Sequence, residues 1–361
     1  MSHRFLWIAA SVQINRKCLA ELLLLVAARY KADDHEQEQT SSTISCNQAV
    51  FHPEGYTVSM TPCISTWFAN KERTYMITFN TAANSVFLAI SYSGMGLAAA
   101  RLLHELGANV YTICRRNGRH SGLDFPVAGE LYADFGVKED LDVLAEALPS
   151  QIDAIFLCRG IALKAEASNA LEVQKVNFLG HKYLLEKILP RIADNGSVNI
   201  IASTGGFGWQ GVFDDCAAVV NAPSYEAALD WYETHPDVIR NGYVFSKQCL
   251  CAYVKMKVHA PEYISRRIRL NAINPGNTLT GLTDDFNRNT SPNGDAAEGK
   301  AVIEKIFLNS WNGRWASAEE MGYPLVAIGS QIFSYMSGQV IYFDYGMSSV
   351  WETDALDAAP N

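Results

Sequence analysis

The sequence predicts an α/β fold, a doubly wound parallel sheet in a single domain over residues 85–350, with an N-terminal extension before it. Apolar runs of strand length alternate with helical patterns along this region, and such alternation is typical of βαβ units. Most of these runs are continuously apolar, as expected for strands that helices cover on both faces. The predicted fold is therefore Rossmann-like, and ligands are expected at the carboxyl ends of its strands.

Six segments are predicted as strands because they are short, apolar and rich in Val, Ile and Phe. They are residues 86–91, 109–115, 152–158, 197–203, 268–274 and 338–344. Helices are predicted where apolar residues recur every three to four positions. They cover residues 97–107, 141–149, 180–192, 224–235 and 246–260.

Composition narrows the class of protein. Of the 361 residues 48% are hydrophobic and 19% are charged, which suits a large buried core. The net charge is −9 and no basic stripe is visible, so nucleic acid is not an expected partner. The eight cysteines include no CxxC pair, which favours a reducing, cytoplasmic setting. The apolar run at 19–28 is too short to span a membrane, and no metal site is predicted.

Residues 1–80 differ in character from the rest of the chain, with a polar stretch and no sustained period. Three interpretations stay open. The segment is a poorly structured extension, a targeting segment, or an artefact in which non-coding sequence was translated.

A glycine turn follows the first predicted strand and opens a helix. It contains Ser93, Gly94, Met95 and Gly96, but Ile90 stands where the first glycine of a dinucleotide-binding turn is expected. Glycines let the backbone approach a phosphate, and a helix N-terminus favours an anion. An ordinary helix-capping turn is the alternative.

The next strand ends at Arg115 rather than at the acidic residue that binds the ribose hydroxyls of NAD. A guanidinium at this place can hold a 2′-phosphate, which favours NADP. A solvated pair of arginines, with Arg116, is the alternative.

Tyr243 and Lys247 lie four residues apart in a predicted helix and therefore share one face. A nearby ammonium lowers the pKa of a phenol and makes it a usable acid or base. This spacing also occurs often by chance.

Three further segments carry polar residues where a ligand is expected. Ser203 ends a buried strand, Asn177 lies inside a helical stretch, and a Pro-Gly turn with hydroxyls follows the strand at 268–274. Local backbone hydrogen bonds are the alternative explanation for each.

Together these segments resemble the short-chain dehydrogenase/reductase family over roughly residues 85–350. The resemblance implies that Asn177, Ser203, Tyr243 and Lys247 are catalytic, with Thr204 as the fallback for the serine. It also implies a cofactor site. That site comprises Ser93, Gly94, Met95, Gly96, Arg115, Asp134, Phe135, Cys158, Gly160, Pro275, Gly276, Thr278 and Thr280, with Tyr243 and Lys247.

One spacing indicates a branch of the family. Ser203 and Tyr243 are forty residues apart, where family members generally have about a dozen residues between them. The extra segment resembles the branch typified by 3-alpha-hydroxysteroid dehydrogenase/carbonyl reductase. It either covers substrate or alters an oligomer interface. Its aromatic residues, with those of residues 279–315, line an apolar pocket or belong to the core; they are Phe213, Trp231, Phe286, Trp311 and Trp315.

The resemblance implies an oxidoreductase that interconverts a carbonyl and a secondary alcohol on a small, apolar substrate. NADP(H) is favoured over NAD(H), and a homo-oligomer, dimer or tetramer, is expected. Ile90 and Arg159 depart from the family pattern, and both touch cofactor binding. A non-catalytic scaffold that has lost its cofactor is therefore the alternative. A nucleotide-sugar epimerase is disfavoured because its glycine turn and longer substrate domain are not seen.

Overall fold

The computed structural model describes residues 86–90, 94–115, 123–164, 168–308 and 313–353. All of them belong to one compact unit, Glu72–Asn361. The extension predicted for residues 1–80 lies outside the described residues, as do Ser93, Arg116 and Trp311.

A seven-stranded sheet forms the centre of this unit, and every neighbouring pair of its strands is parallel. The strand order is β3-β2-β1-β4-β5-β6-β7. The strands are β1 (Val86–Ile90), β2 (Asn109–Cys114), β3 (Gly129–Tyr132), β4 (Ile152–Leu157), β5 (Ile192–Ile201), β6 (Arg269–Pro275) and β7 (Val340–Phe343). The order runs outward from β1 in both directions, so the prediction of a doubly wound parallel sheet is confirmed.

Helices cover both faces of the sheet. They are α1 (Gly94–Glu105), α2 (Lys138–Ala147), α3 (Ala170–Gln174), α4 (Gly180–Ile188), α5 (Phe213–Val220), α6 (Tyr225–Thr234), α7 (Gly242–Lys257), α8 (Pro261–Ile264), α9 (Thr283–Thr290), α10 (Ala296–Phe307), α11 (Glu319–Gly329) and α12 (Met347–Thr353). Helices α1 and α11 share one core cluster, and α2, α4, α5, α6 and α7 share the other. Two apolar layers on one sheet explain why its inner strands are continuously apolar.

The strand register places the carboxyl ends of neighbouring strands at the same edge of the sheet. Ile90 of β1 pairs with Leu157 of β4, and Cys114 of β2 pairs with Tyr132 of β3. The residues that follow these strands therefore emerge at one edge, where a doubly wound fold binds its ligands.

Two strands differ from the sequence-based expectation. β3 was not predicted, because it has four residues whose burial alternates and it lies at the edge of the sheet. Alternation over so short a run gives little periodic signal. β5 starts at Ile192 rather than at residue 197.

The segment between Ser203 and Tyr243 folds into α5 and α6 and packs into the larger core cluster. Its buried residues are Cys216, Val219, Val220, Tyr225, Ala228 and Tyr232. Ser224 caps α6 by accepting a hydrogen bond from the Ala227 amide, as the sequence SYEAAL favours. The insert is thus a structural part of the domain as well as a neighbour of the site.

Within the described part of the chain, no helix combines the length and apolar character needed to cross a membrane.

Candidate active site

Tyr243 and Lys247 lie in the first turns of α7. The lysine side chain is only 4% exposed. Its Nζ is 5.7 Å from the centroid of the Tyr243 ring and donates a hydrogen bond to the Ile201 carbonyl at 3.2 Å. The four-residue spacing therefore brings the two side chains together, and the lysine also ties α7 to the end of β5.

Ser203 reaches the same place from the carboxyl end of β5. Its hydroxyl accepts a hydrogen bond from the Gly205 amide at 3.0 Å and forms a side-chain hydrogen bond with Tyr243. A Cβ placed on Gly205 would be 3.3 Å from the Tyr243 ring and 3.5 Å from the serine Oγ. Gly205 therefore leaves room for the two hydroxyls to meet. Thr204 begins the short helical turn that follows.

Burial dominates the acid–base properties of this pair. It raises the pKa of Tyr243, while the Ser203 hydrogen bond acts in the opposite direction. Burial also lowers the pKa of Lys247 to about 8, because removing the ammonium from water disfavours its charged form. The prediction that Lys247 lowers the pKa of Tyr243 is therefore wrong, since desolvation raises this pKa and outweighs the Ser203 hydrogen bond.

Asn177 lies in a π-helical turn, Lys175–Leu179, between α3 and α4. Its side chain is fully buried. The carboxamide accepts from the Ile161 amide at 2.8 Å and donates to the Ile161 carbonyl at 3.0 Å. It also donates to the Ser246 hydroxyl at 3.2 Å, and Ser246 is the neighbour of Lys247. π turns often mark functional sites, and this one links the loop after β4 to the helix that carries the tyrosine.

The glycine turn at the start of α1 is tightly packed. Gly94 has φ of +55°, and a Cβ built there would lie 3.1 Å from the side chain of Thr280. A side chain at this position would be strained in conformation and crowded in space. Ile90 ends β1, directly before residues that are not described.

The loop after β6 returns towards this turn. The Gly276 amide donates to the Phe343 carbonyl at 3.0 Å, and a Cβ on Gly276 would lie 2.9 Å from Cα of Asp344. Thr278 donates its hydroxyl hydrogen to the Gly276 carbonyl. The Pro275-Gly276 turn is therefore held against the end of β7, and Thr280 faces the glycine turn.

The ends of β2, β3 and β4 form the other half of the edge. Asp134 is half-buried and accepts from the Gly136 amide at 2.8 Å. The Phe135 ring is buried against His181, so only its main chain is available to a ligand. Cys158 follows β4, and burial raises the pKa of its thiol to about 12. Arg115 is exposed at the end of β2.

Two residues have contacts at the site that were not predicted from the sequence. His181 was not among the candidate residues, and Phe286 was named only as a pocket or core residue. His181 lies one turn after Asn177, and its Nε2 is 3.1 Å from the Arg159 carbonyl. Its spacing of four from Asn177 was the available sequence signal. Phe286 packs edge-on against Tyr243, with ring centroids 4.9 Å apart. Of the aromatic residues considered for the pocket, it is the one that contacts the tyrosine. Trp231 packs against the core instead.

The residues at this edge suit a dinucleotide. A glycine turn opens a helix, a buried lysine and a half-buried tyrosine lie at the same edge, and a buried guanidinium nitrogen of Arg159 has no hydrogen-bond partner among the described residues. Among those residues, no three His, Cys, Asp or Glu side chains cluster closely enough to hold a metal ion.

Comparisons with known proteins agree with this site. Residues 212–348 match a family model described as enoyl-(acyl carrier protein) reductase. Coniferyl-alcohol dehydrogenase from Pseudomonas sp. (strain HR199 / DSM 7063) is 30% identical over 195 residues, which cover 54% of this chain and 72% of that protein.

Solved structures share the fold. The 3-alpha-hydroxysteroid dehydrogenase of Pseudomonas sp. B-0831, solved with NADH, matches with a TM-score of 0.60 at 21% identity over 74% of this chain and 99% of that one. A variant of actinorhodin polyketide ketoreductase with NADPH matches with a TM-score of 0.54 at 20% identity over 74% and 98%. The sequence relationship and the shared fold show that the chain belongs to the short-chain dehydrogenase/reductase family.

Proposed function

We propose that this protein is an NADP(H)-preferring oxidoreductase that interconverts a carbonyl and a secondary alcohol on a small, apolar substrate. The observation that carries the proposal is the convergence of four side chains from three separate segments. Ser203, Tyr243, Lys247 and Asn177 meet at the carboxyl edge of the sheet.

Each of the four residues has a distinct role in this proposal. The hydroxyls of Ser203 and Tyr243 bind the substrate oxygen, and Tyr243 delivers its proton to that oxygen during reduction. The nicotinamide, when bound, supplies the hydride. Lys247 places a positive charge beside the phenol, which favours phenolate once the proton has left. Asn177 holds the loop after β4 against α7 through Ile161 and Ser246.

The preference for NADP(H) rests on the end of β2. Cys114 stands where an acidic residue would bind the ribose hydroxyls of NAD, and Arg115 follows it. A guanidinium is suited to a phosphate. The two solved neighbours were obtained with NADH and with NADPH, so the choice of cofactor depends on this chain's own residues.

The apolar substrate class rests on a cavity of about 400 Å³ at the ends of β5, β6 and β7. This volume is in the usual range for small-molecule pockets. The wall of this cavity is mixed. Its polar and charged residues are Thr204, Asn277, Arg314, Glu320 and Asp344, and its apolar and aromatic residues include Leu308, Ala316, Met321, Tyr342, Phe343 and Met347. Phe286 adds an aromatic face at Tyr243. A hydrophobic ketone or alcohol suits the apolar part of this lining.

A cytoplasmic homo-oligomer, a dimer or tetramer, is part of the same proposal. No disulfide joins the cysteines of the described ranges, which suits a reducing compartment. Ile332, Phe333 and Tyr335 form an exposed apolar stretch just before β7, which is the kind of surface that a second copy can cover.

Titration of the full-length protein with NADPH and NADH, followed by nicotinamide fluorescence, tests this function. We expect saturable binding of NADPH that is tighter than binding of NADH. Turnover is then measured with a panel of apolar ketones and, in the reverse direction, alcohols, including coniferyl alcohol. Absence of binding for both cofactors would refute the proposal and favour a non-catalytic scaffold.

A further inference from the structure

Arg159 occupies an unusual position for a cation. It follows β4 by two residues and is half-buried at the carboxyl edge of the sheet. Its Nε is buried and has no hydrogen-bond partner within the part of the chain that the structure describes. Among the ion pairs of the described residues, none involves Arg159. A buried donor on a charged group is costly when it has no acceptor. An anion that accepts a hydrogen bond from this guanidinium would therefore stabilise it.

A second cation, Arg115, acts on Arg159. Arg115 follows β2, and the ends of β2 and β4 flank β1 at a separation of roughly 10 Å, within reach of two arginine side chains. Burial and the charge of Arg115 lower the pKa of Arg159 to about 10, so the Arg159 guanidinium remains charged at neutral pH. Asp134 acts in the opposite direction, but its carboxylate accepts a hydrogen bond from the Gly136 amide.

A hydrogen bond from His181 holds the main chain of Arg159. His181 Nε2 lies 3.1 Å from the Arg159 carbonyl, and because a carbonyl only accepts, this nitrogen carries the hydrogen. Burial lowers the pKa of His181 to about 3, so the ring stays neutral at physiological pH. This hydrogen bond therefore fixes the main chain of Arg159 in the loop after β4. The Arg159 side chain is the part that can contact a ligand.

We infer that Arg159 and Arg115 together bind the 2′-phosphate of NADP(H), and that Arg159 is a specificity-determining residue for that cofactor. The inference rests on the proposed function. Arg159, which departs from the family pattern, then has a role in binding the cofactor.

The location distinguishes the 2′-phosphate from the pyrophosphate. The pyrophosphate belongs at the helix N-terminus formed by Gly94 and Gly96. The end of β2, which carries Arg115, is where this fold meets the adenosine ribose. A phosphate monoester is close to dianionic at neutral pH, and two guanidiniums match its charge and its oxygen acceptors.

The test measures binding to the full-length protein by calorimetry, with NADPH, NADH, 2′,5′-ADP and 5′-AMP as probes. The variants are Arg159→Ala and Arg159→Lys, with Arg267→Ala as a charge-matched control. Arg267 is exposed and precedes β6, at the opposite edge of the sheet. Circular dichroism and thermal unfolding show whether each variant is folded.

For Arg159→Ala we expect affinity for NADPH and 2′,5′-ADP to fall about tenfold to a hundredfold. Affinity for NADH and 5′-AMP should change less than about threefold. Arg159→Lys should retain part of the preference, since it keeps the charge and loses the planar fork, and it remains informative if the alanine variant is unfolded. Arg267→Ala should bind like the unaltered protein.

Three results would overturn the inference. They are an equal loss for both cofactors, no change for either, and tighter binding by Arg159→Ala, which would mean that the side chain obstructs the site. Each leaves the proposed function intact if the unaltered protein binds NADPH. Failure of the unaltered protein to bind any nicotinamide cofactor would instead remove the proposed function and this inference with it.

Discussion

Lys247 Nζ donates a 3.2 Å hydrogen bond to the carbonyl of Ile201, the last residue of β5. The contact joins the helix that carries Tyr243 to the strand that presents Ser203 two residues later. One buried ammonium thus fixes the relative position of the two hydroxyls. The same burial makes this lysine a titratable group whose charge state matters for stability and for chemistry.

The stability of the protein should depend on pH through Lys247. Its pKa is lowered from 10.5 to about 8 in the folded state, so between these values the unfolded chain binds more protons. Stability therefore rises as pH increases from about 8 to 10.5, and the penalty for burying the charge is complete below pH 8. The effect amounts to at most about 3 kcal/mol.

Urea unfolding of the unaltered protein and of Lys247→Met at pH 7 and pH 10 measures this contribution. Relative to Lys247→Met, the unaltered protein should have a larger free energy of unfolding at pH 10 than at pH 7. An offset that stays constant between the two pH values would show that Lys247 does not titrate in this window.

Tyr243→Phe should abolish turnover without weakening the binding of NADPH. The substitution removes the hydroxyl that bonds with Ser203 and leaves the ring against Phe286. Loss of a positioned proton donor typically lowers a rate by about 10² to 10⁴. Steady-state rates with an accepted ketone and a fluorescence titration with NADPH provide the two measurements.

Tyr335→Phe is the matched control, because Tyr335 is fully exposed and its hydroxyl has no role in the proposal. It should leave both measurements unchanged. Parallel losses of turnover and NADPH affinity in Tyr243→Phe would indicate a folding defect or a misassigned acid.

Gly322→Ala should destabilise the protein by separating two helices. Gly322 lies in α11, and a Cβ there would lie 2.7 Å from the Met95 carbonyl oxygen and 2.8 Å from Cβ of Ala98, both in α1. Overpacking of this kind costs about 1–3 kcal/mol. Urea unfolding should show that loss.

Gly211→Ala serves as the control for the change of residue type. A Cβ at Gly211 would meet no atom within 4 Å, so we expect no loss, and a gain of up to about 1 kcal/mol from the restricted unfolded chain. Equal effects of the two substitutions would contradict close packing of α11 on α1.

The insert should behave as core, and Tyr232 tests this directly. Tyr232 is fully buried in α6, and its hydroxyl has no hydrogen-bond partner among the described residues. Tyr232→Phe should therefore be neutral or stabilising by about 1 kcal/mol. Tyr232→Ala should cost about 3–5 kcal/mol, because it leaves a cavity. Denaturant unfolding separates the two cases, and a large loss in Tyr232→Phe would mean that the hydroxyl has an unrecognised acceptor.

Sequence patterns located most of the fold because continuous apolar runs and helical periods are local signals. The strands at 109–115, 152–158 and 338–344 were predicted to within two residues at each end. The pairing of Tyr243 with Lys247 also follows from helical spacing. The four-residue edge strand Gly129–Tyr132 was missed because its run is too short to carry a period.

By itself, the sequence determined the doubly wound architecture, since that depends on residue type and spacing along the chain, and its motifs resembled the family to which the chain belongs. Only the tertiary structure decided how burial acts on the residues at the carboxyl edge. It raises the pKa of Tyr243, lowers that of Lys247 and leaves the Nε of Arg159 with no hydrogen-bond partner among the residues described. Desolvation depends on what packs around a group from distant segments, and no local pattern records that.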